Sequence, residues 1–254
     1  MDHSAQLSRL SVNLNAVAYL RNRRDLPWPN LLKLARVAMT AGARGITVHP
    51  RPDARHIRQA DVHELSSLFQ EEFPDRDFAL EGYPDASFLS LVEETRPQQV
   101  LFVPDAPEQP TSDHGWDLTQ SAKLGPIIEK ARGWGVMVSI FIDPDPVMAN
   151  RAAELGADRV EIFTGPYGAC HSNPSAAESE LARVVQCATA GRDAGLGINA
   201  GHDLTLENIK PLIDQAPFIR EVSIGHAFMA CALEVGFSET VRLFRRKLGE
   251  PVDP

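Results

Sequence analysis

Two stretches in the last quarter of the chain, Ile198-Asn-Ala-Gly-His-Asp203 and Val222-Ser-Ile-Gly-His-Ala227, end apolar runs on a glycine followed at once by a histidine. Each reads as a short buried strand whose terminal glycine lets backbone N–H groups approach a ligand, with a titratable imidazole next in line. Two such ends side by side make an anion-binding mouth. The last two strand-to-helix loops of a (β/α)8 barrel often hold phosphate, so the reading sharpens if strand and helix alternate through the rest of the chain.

They do. A glycine-bearing turn repeatedly introduces an apolar run: Ala41-Gly-Ala-Arg-Gly45 before Ile46-Thr-Val-His49, Gly133-Trp-Gly135 before Val136-Met-Val-Ser-Ile-Phe141, Leu155-Gly-Ala-Asp158 before Val160-Glu-Ile-Phe163, and Ala194-Gly-Leu-Gly197 before Ile198-Asn199. A helix C-cap feeding a buried strand explains each copy. Residues 10–17, 78–81, 100–103 and 222–224 bring the strands to eight, and helical patterns run over 31–40, 62–72, 88–95, 127–132, 147–155, 176–194, 206–215 and 237–248. Eight βα units in 254 residues predict an α/β fold of the (β/α)8 TIM-barrel type, with a doubly wound open sheet as the alternative. No linker interrupts the pattern, so residues 1–254 read as one domain. The longest loop, residues 104–116, has the length at which loops in compact domains are more often functional than idle.

Composition narrows the partners. A formal charge of −9 disfavours nucleic acid and anionic membrane as partners, although an anionic substrate must then meet a locally positive pocket. Cys170, Cys187 and Cys231 show neither CxxC spacing nor an even count, which suits a reduced compartment and a cytoplasmic protein. The start, Met1-Asp-His-Ser-Ala-Gln6, lacks the pattern of a signal peptide, and no run of 18 apolar residues suggests a membrane span.

Catalytic groups of a parallel barrel collect at the C-terminal strand ends. Those ends carry Asn13 and Asn15, His49 and Arg51, Glu81, Asp105, Asp143, Glu161 and Thr164, His202 and Asp203, and His226. Carboxylates inside apolar strands, as in Phe78-Ala-Leu-Glu-Gly82 and Arg159-Val-Glu-Ile-Phe163, are costly unless paired or lining a wet cavity. For Glu161 an internal ion pair serves as well as a functional role; for His49, Glu81 and His202 together, convergence on one mouth favours function. On its own His56 reads as a solvated loop histidine, and Arg21, Arg23 and Arg24 read either as solvated or as a bidentate phosphate loop. His3, His63, His114 and His171 receive no role. All five lysines, Lys33, Lys123, Lys130, Lys210 and Lys247, fall in or beside helical segments, which argues against a Schiff-base aldolase. Without an HxH or HExxH pair no metal site is expected.

At these residues the chain resembles the pyridoxine 5'-phosphate synthase family of vitamin B6 biosynthesis. The matching stretches are Ser11-Val-Asn-Leu-Asn15 with Leu20-Arg-Asn-Arg-Arg24, Gly45-Ile-Thr-Val-His-Pro-Arg51 with Arg55-His-Ile57, Leu80-Glu81, Val103-Pro-Asp105 with Thr111-Ser-Asp-His-Gly115, Val138-Ser-Ile-Phe-Ile-Asp143, Gly156-Ala-Asp-Arg-Val-Glu161 with Thr164-Gly165, Asn199-Ala-Gly-His202 and Ile224-Gly-His226. The resemblance implies a TIM barrel with extra helices, a homo-octamer, and a cofactor-free condensation of two small phosphorylated molecules. These are 3-amino-2-oxopropyl phosphate and 1-deoxy-D-xylulose 5-phosphate, joined with release of phosphate and water. It implies general bases at His49 and Glu81, a general acid at His202 and a transition-state-stabilising carboxyl at Glu161. It places Asn13, Arg24, Gly225 and His226 on the aminoketone phosphate, and Arg51, His56 and Thr111 on the xylulose phosphate, which gives His56 a role after all. Three positions depart from the family's usual pattern: Ala16 follows Asn15 where many members carry Asp-His, Asp203 replaces a glycine beside the substrate, and Phe163 replaces a histidine. These departures keep two alternatives open, a related barrel acting on a different phosphorylated carbonyl pair and a catalytically silent phosphosugar-binding protein.

Overall fold

Residues 7–252 are described by the computed structural model, so His3 and the Met1 to Gln6 segment lie outside the described residues. Eight parallel strands close in sequence order into a barrel: β1 (Arg9–Asn13), β2 (Gly45–Val48), β3 (Asp77–Gly82), β4 (Gln99–Phe102), β5 (Met137–Ile142), β6 (Arg159–Phe163), β7 (Gly197–Gly201) and β8 (Ile219–Ile224), with β8 pairing back onto β1. The helices are α1 (Asn15–Asn22), α2 (Leu31–Thr40), α3 (Gln59–Glu72), α4 (Ala86–Thr95), α5 (Leu124–Gly133), α6 (Pro146–Glu154), α7 (Gly165–Ala169), α8 (Pro174–Asp193), α9 (Ile209–Gln215), α10 (His226–Val235) and α11 (Phe237–Lys247). This is the (β/α)8 TIM barrel that the alternation predicts. The glycine turns behave as helix C-caps: Gly156 and Gly195 take φ of +85° and +89°, a left-handed backbone that side chains disfavour.

Strand alternation divides two environments. Leu10 and Val12, Ile46 and Val48, Phe78 and Leu80, Val138 and Ile140, and Val160 and Ile162 join the core beneath the helices. The alternate residues face the lumen, where Asn199 Nδ2 on β7 donates to Gln99 Oε1 on β4 (3.3 Å) and Arg159 Nη1 on β6 donates to the same oxygen (3.1 Å). Since β4 is a neighbour of neither β6 nor β7, these bonds cross the barrel interior. Above this polar layer Leu101, Val103, Phe141 and Phe163 make a separate small apolar cluster.

The first strand is shorter than expected. Residues 10–17 read as one strand, but β1 stops at Asn13 and α1 begins at Asn15. The Asn13 side chain accepts the Asn15 N–H (2.9 Å), a local turn that competes with extended backbone, and Val17 and Ala18 are buried from a helix instead. Helices α7 and α10 are also additions to the expected set, each starting directly at the end of a barrel strand, so that no loop composition announces them.

Candidate functional site

The C-terminal ends of the strands converge on a cavity of about 490 Å3 whose walls include His49, Glu81, Glu161 and His202. Asn13, Arg51, His56, Thr111, Asp203, Gly225 and His226 complete its lining among the expected residues. Asn15, Ala16, Tyr19, Pro110, Ser112 and Ser223 also contribute. Arg24 does not: it is exposed and absent from the wall, so the expected Arg24 contact is not assembled in this state. Arg21, three residues earlier, is committed to Asp61 Oδ2 (2.9 Å) and the His56 carbonyl (3.2 Å). A larger neighbouring cavity of about 680 Å3, between the loops after β2, β3 and β4, shares His49 and Arg51 but holds none of the other three converging ionisable groups.

His49 Nδ1 lies 3.2 Å from Glu81 Oε1, and both side chains are buried. Asn15 Oδ1 accepts the His49 N–H (2.8 Å) and so fixes the end of β2. Burial opposes ionisation of Glu81, but the charge and hydrogen bond of His49, the charge of His202 and the Ser112 hydroxyl outweigh it and hold the carboxyl down at about 2. Glu161 goes the other way, since burial and then the charges of Glu81 and Glu221 push it well above the usual carboxylate range. Its charged neighbours are therefore carboxylates, not the cation that an internal ion pair requires. One carboxylate is held as an anion and the other is biased towards the neutral acid, so the pocket offers both a hydrogen-bond acceptor and a donor carboxyl.

Glu161 fits only because β7 ends in glycine: a Cβ on Gly201 would stand 2.2 Å from Glu161 Oε1. Beyond it His202 and Asp203 adopt φ of +76° and +55°, left-handed backbone that costs a non-glycine residue free energy and recurs at functional sites. Thr164 supports this bend, its N–H donating to the Gly201 carbonyl (2.9 Å) and its hydroxyl lying 2.6 Å from both the Gly201 and His202 carbonyls. The His202 ring packs between Phe141 (5.2 Å between centroids) and Phe163 (5.4 Å, edge-on).

The loop after β4 is pinned at its end. Trp116 Nε1 donates to the Phe102 carbonyl (2.9 Å), and at Gly115 a side chain would meet the Asp143 backbone N at 2.2 Å. Arg55 holds its crest through the carbonyls of Gln109 (2.6 Å) and Pro107 (2.7 Å), which places Thr111 and Ser112 at the cavity. Arg51 is buried and already engaged, with Asp105 Oδ2 and with the Gln109 carbonyl (3.0 Å). His56 is buried too; burial, followed by the charge of His49, lowers it to about 4 against the pull of Glu81, and Arg51 and Arg55 add to the lowering. At neutral pH it is an uncharged imidazole. The Ile57 N–H donates to its Nδ1 (2.9 Å), so the proton sits on Nε2, a donor for an anion.

Across the cavity, α10 begins at His226 immediately after Gly225, so the free N–H groups and positive dipole end of a ten-residue helix lie at the wall beside Asn13. The helix start thus stands where the second Gly-His pair leads one to expect an anion mouth. Among the described residues no group of three or more His, Cys, Asp or Glu side chains is arranged to hold a metal ion.

A family model described as pyridoxal phosphate biosynthesis protein PdxJ matches residues 10–250. The chain belongs to the PdxJ family. Pyridoxine 5'-phosphate synthase of Brucella anthropi is 53% identical over 235 residues, covering 92% of this chain and 96% of that protein. The protein of the same name from Chelativorans sp. is 52% identical over 239 residues, covering 93% and 96%. A solved structure from Aquifex aeolicus VF5 superposes with a TM-score of 0.65 at 15% identity, covering 98% of this chain and 95% of that one, which supports the barrel alone. Membership in the PdxJ family spans every strand and both histidine-bearing loops. Sequence reasoning passed over Ser112 and Tyr19 as wall residues, Ser112 because a hydroxyl in a polar loop is unremarkable and Tyr19 because the expected strand stops at Val17 and no helix is expected after it.

Proposed function

We propose that this chain is a pyridoxine 5'-phosphate synthase that condenses 3-amino-2-oxopropyl phosphate with 1-deoxy-D-xylulose 5-phosphate, releasing phosphate and water. The observation that carries the reading is the convergence of His49, Glu81, Glu161 and His202 on one cavity closed at one side by the α10 N-terminus. Imine formation, phosphate elimination and ring closure are all proton transfers, which need positioned acids and bases.

The His49–Glu81 pair divides the work of a base. Glu81 stays anionic and faces Nδ1, keeping a proton there, so Nε2 of His49 is the accepting atom and the carboxylate stabilises the imidazolium that forms. His202 donates to the departing oxygen. Glu161, biased to its neutral form, donates a hydrogen bond where negative charge develops. The aminoketone phosphate rests on Asn13, Gly225 and the α10 N-terminus at His226; the xylulose phosphate takes Nε2–H of His56, the Thr111 hydroxyl and Arg51 once Arg51 turns from Asp105. Asp203, exposed at the rim, faces the substrates. Arg24 reaches them only if residues 23–30 move, since it stands outside the cavity wall.

No helix among the described residues is long and apolar enough to cross a membrane, and we place the enzyme in the cytoplasm as a homo-octamer. Exposed Tyr19 and Leu20 on α1 and Leu233 and Val235 on α10 offer apolar surface for such assembly. Incubation of the purified protein with both substrates, with and without chelator, tests the reaction: pyridoxine 5'-phosphate forms in both samples, and activity that vanishes with chelator and returns with a divalent ion overturns the metal-free scheme.

A further inference from the structure

Ser112 sits between two carboxylates with one hydrogen to give. Its side chain is buried, with Oγ 2.7 Å from Asp105 Oδ2 and 3.1 Å from Glu81 Oε1. Both neighbours accept, and a hydroxyl donates one hydrogen at a time. Each carboxylate presents the same oxygen to two partners: Asp105 Oδ2 takes Arg51 as well as Ser112, and Glu81 Oε1 takes His49 as well as Ser112. A single chain, Arg51–Asp105–Ser112–Glu81–His49, therefore links an anion-binding guanidinium to the base pair. Asp105 Oδ1 is buried with no partner, so the second carboxylate has nothing in reserve.

Resting on the proposed reaction, we infer that Ser112 is a positioning residue that reports the state of Arg51 to the His49–Glu81 pair. While Arg51 neutralises Asp105, the hydroxyl hydrogen is shared between the two carboxylates. When a substrate phosphate draws Arg51 away, Asp105 becomes a buried anion whose remaining side-chain donor is Ser112, and it takes that hydrogen wholly. Glu81 loses its share, becomes more basic and binds the His49 proton more tightly. The base pair is thereby strengthened when the xylulose phosphate is seated. The loop geometry allows this without a large movement, because Arg55, Gly115 and Trp116 hold the segment in place. The other ionisable groups facing Glu81 are His202 at the end of β7, Glu161 on β6 and His56 from the loop after β2, whereas the Ser112 hydroxyl is directed at Asp105 and Glu81.

The test is an imidazole titration by NMR of full-length protein labelled in histidine, with His49 assigned from a His49→Asn variant, in wild type, Ser112→Ala and Ser112→Thr, each with and without inorganic phosphate. The His49 midpoint in phosphate-free Ser112→Ala rises by roughly 0.5–1 pH unit, the scale of a shared hydrogen bond to a charged group. Phosphate raises the midpoint in wild type and raises it by about half as much or less in Ser112→Ala, while Ser112→Thr, which keeps the hydroxyl, follows wild type. Equal phosphate shifts in wild type and Ser112→Ala, no phosphate shift in wild type, or a threonine variant that behaves like alanine each overturn the inference. Turnover of wild type with both substrates is measured alongside: no product counts against the proposed reaction, whereas the titration decides the role of Ser112 either way.

Discussion

Gly201→Ala puts a methyl group where Glu161 sits. The added Cβ would lie 2.2 Å from Oε1 and 3.0 Å from Cδ, and ordinary contact begins at 3.4 Å, so the carboxyl oxygen must retreat by about 1.2 Å. The atom met is the far end of a flexible side chain at the wall of the cavity, so the carboxyl gives way by turning out of its position. A misplacement of ~1 Å in a catalytic group costs about 100-fold in rate, so kcat falls by about that factor. Because the carboxyl can turn into the cavity, the stability cost stays below the ~1–3 kcal/mol of overpacking a rigid core, at ~2–4 °C of Tm per kcal/mol in a domain of this size. Steady-state kinetics with thermal unfolding on the same samples separates the two effects. In a Glu161→Ala background the clash is gone, so adding Gly201→Ala changes kcat by no more than ~2-fold. A single variant with near-normal kcat, or a full 100-fold loss that persists without Glu161, refutes the reasoning.

Glu81→Gln and His202→Asn each lower turnover by roughly two to four orders of magnitude with Tm little changed, the range for a positioned acid or base; rates within a few-fold of wild type remove them from the mechanism. His56 is lowered from 6.5 to about 4, so the unfolded chain takes up this proton first as pH falls. Its contribution is present above pH 6.5 and is lost between 6.5 and about 4, on the order of 2–3 kcal/mol after allowing for partial solvent screening. Urea unfolding across that window shows a steeper decline in wild type than in His56→Gln, and parallel slopes contradict the assignment. Gly225→Val crowds Asn13, whose side chain is 3.3 Å from a Cβ there, and blocks the α10 N-terminus; KM for the aminoketone phosphate rises at least ~10-fold, and a crystal soaked in sulfate loses its anion at that helix while keeping any beside His56.

The barrel was legible because its signals are local and repeated. A left-handed glycine closing a helix and an apolar run behind it need no long-range information, and Gly42, Gly135, Gly156 and Gly195 adopt that conformation in the four turns read from sequence. What misled was Asn13-Leu-Asn15: the apolar residues continue through Val17, but the Asn13 side chain caps the turn and converts the rest to helix, a hydrogen bond that hydrophobic period alone does not report. Helices α7 and α10 were hidden for a related reason, since each starts inside a strand-end motif that already reads as a ligand loop. The catalytic candidates were legible as charged residues at strand ends, where burial makes them expensive without a use. Arg51 and Arg24 show the limit of that approach. Sequence assigns both to phosphate, but one is locked to Asp105 by a loop that begins two residues after β4 and the other stands outside the cavity, facts fixed by folding of distant segments. Ser112 was invisible for the same reason, its importance coming wholly from the two carboxylates that it meets.

The most direct test of the account is product formation by the purified wild-type protein given 3-amino-2-oxopropyl phosphate and 1-deoxy-D-xylulose 5-phosphate together. The account predicts pyridoxine 5'-phosphate and inorganic phosphate in equal amounts, with neither formed when one substrate is omitted. Folded protein that binds both compounds and yields no pyridoxine 5'-phosphate contradicts it.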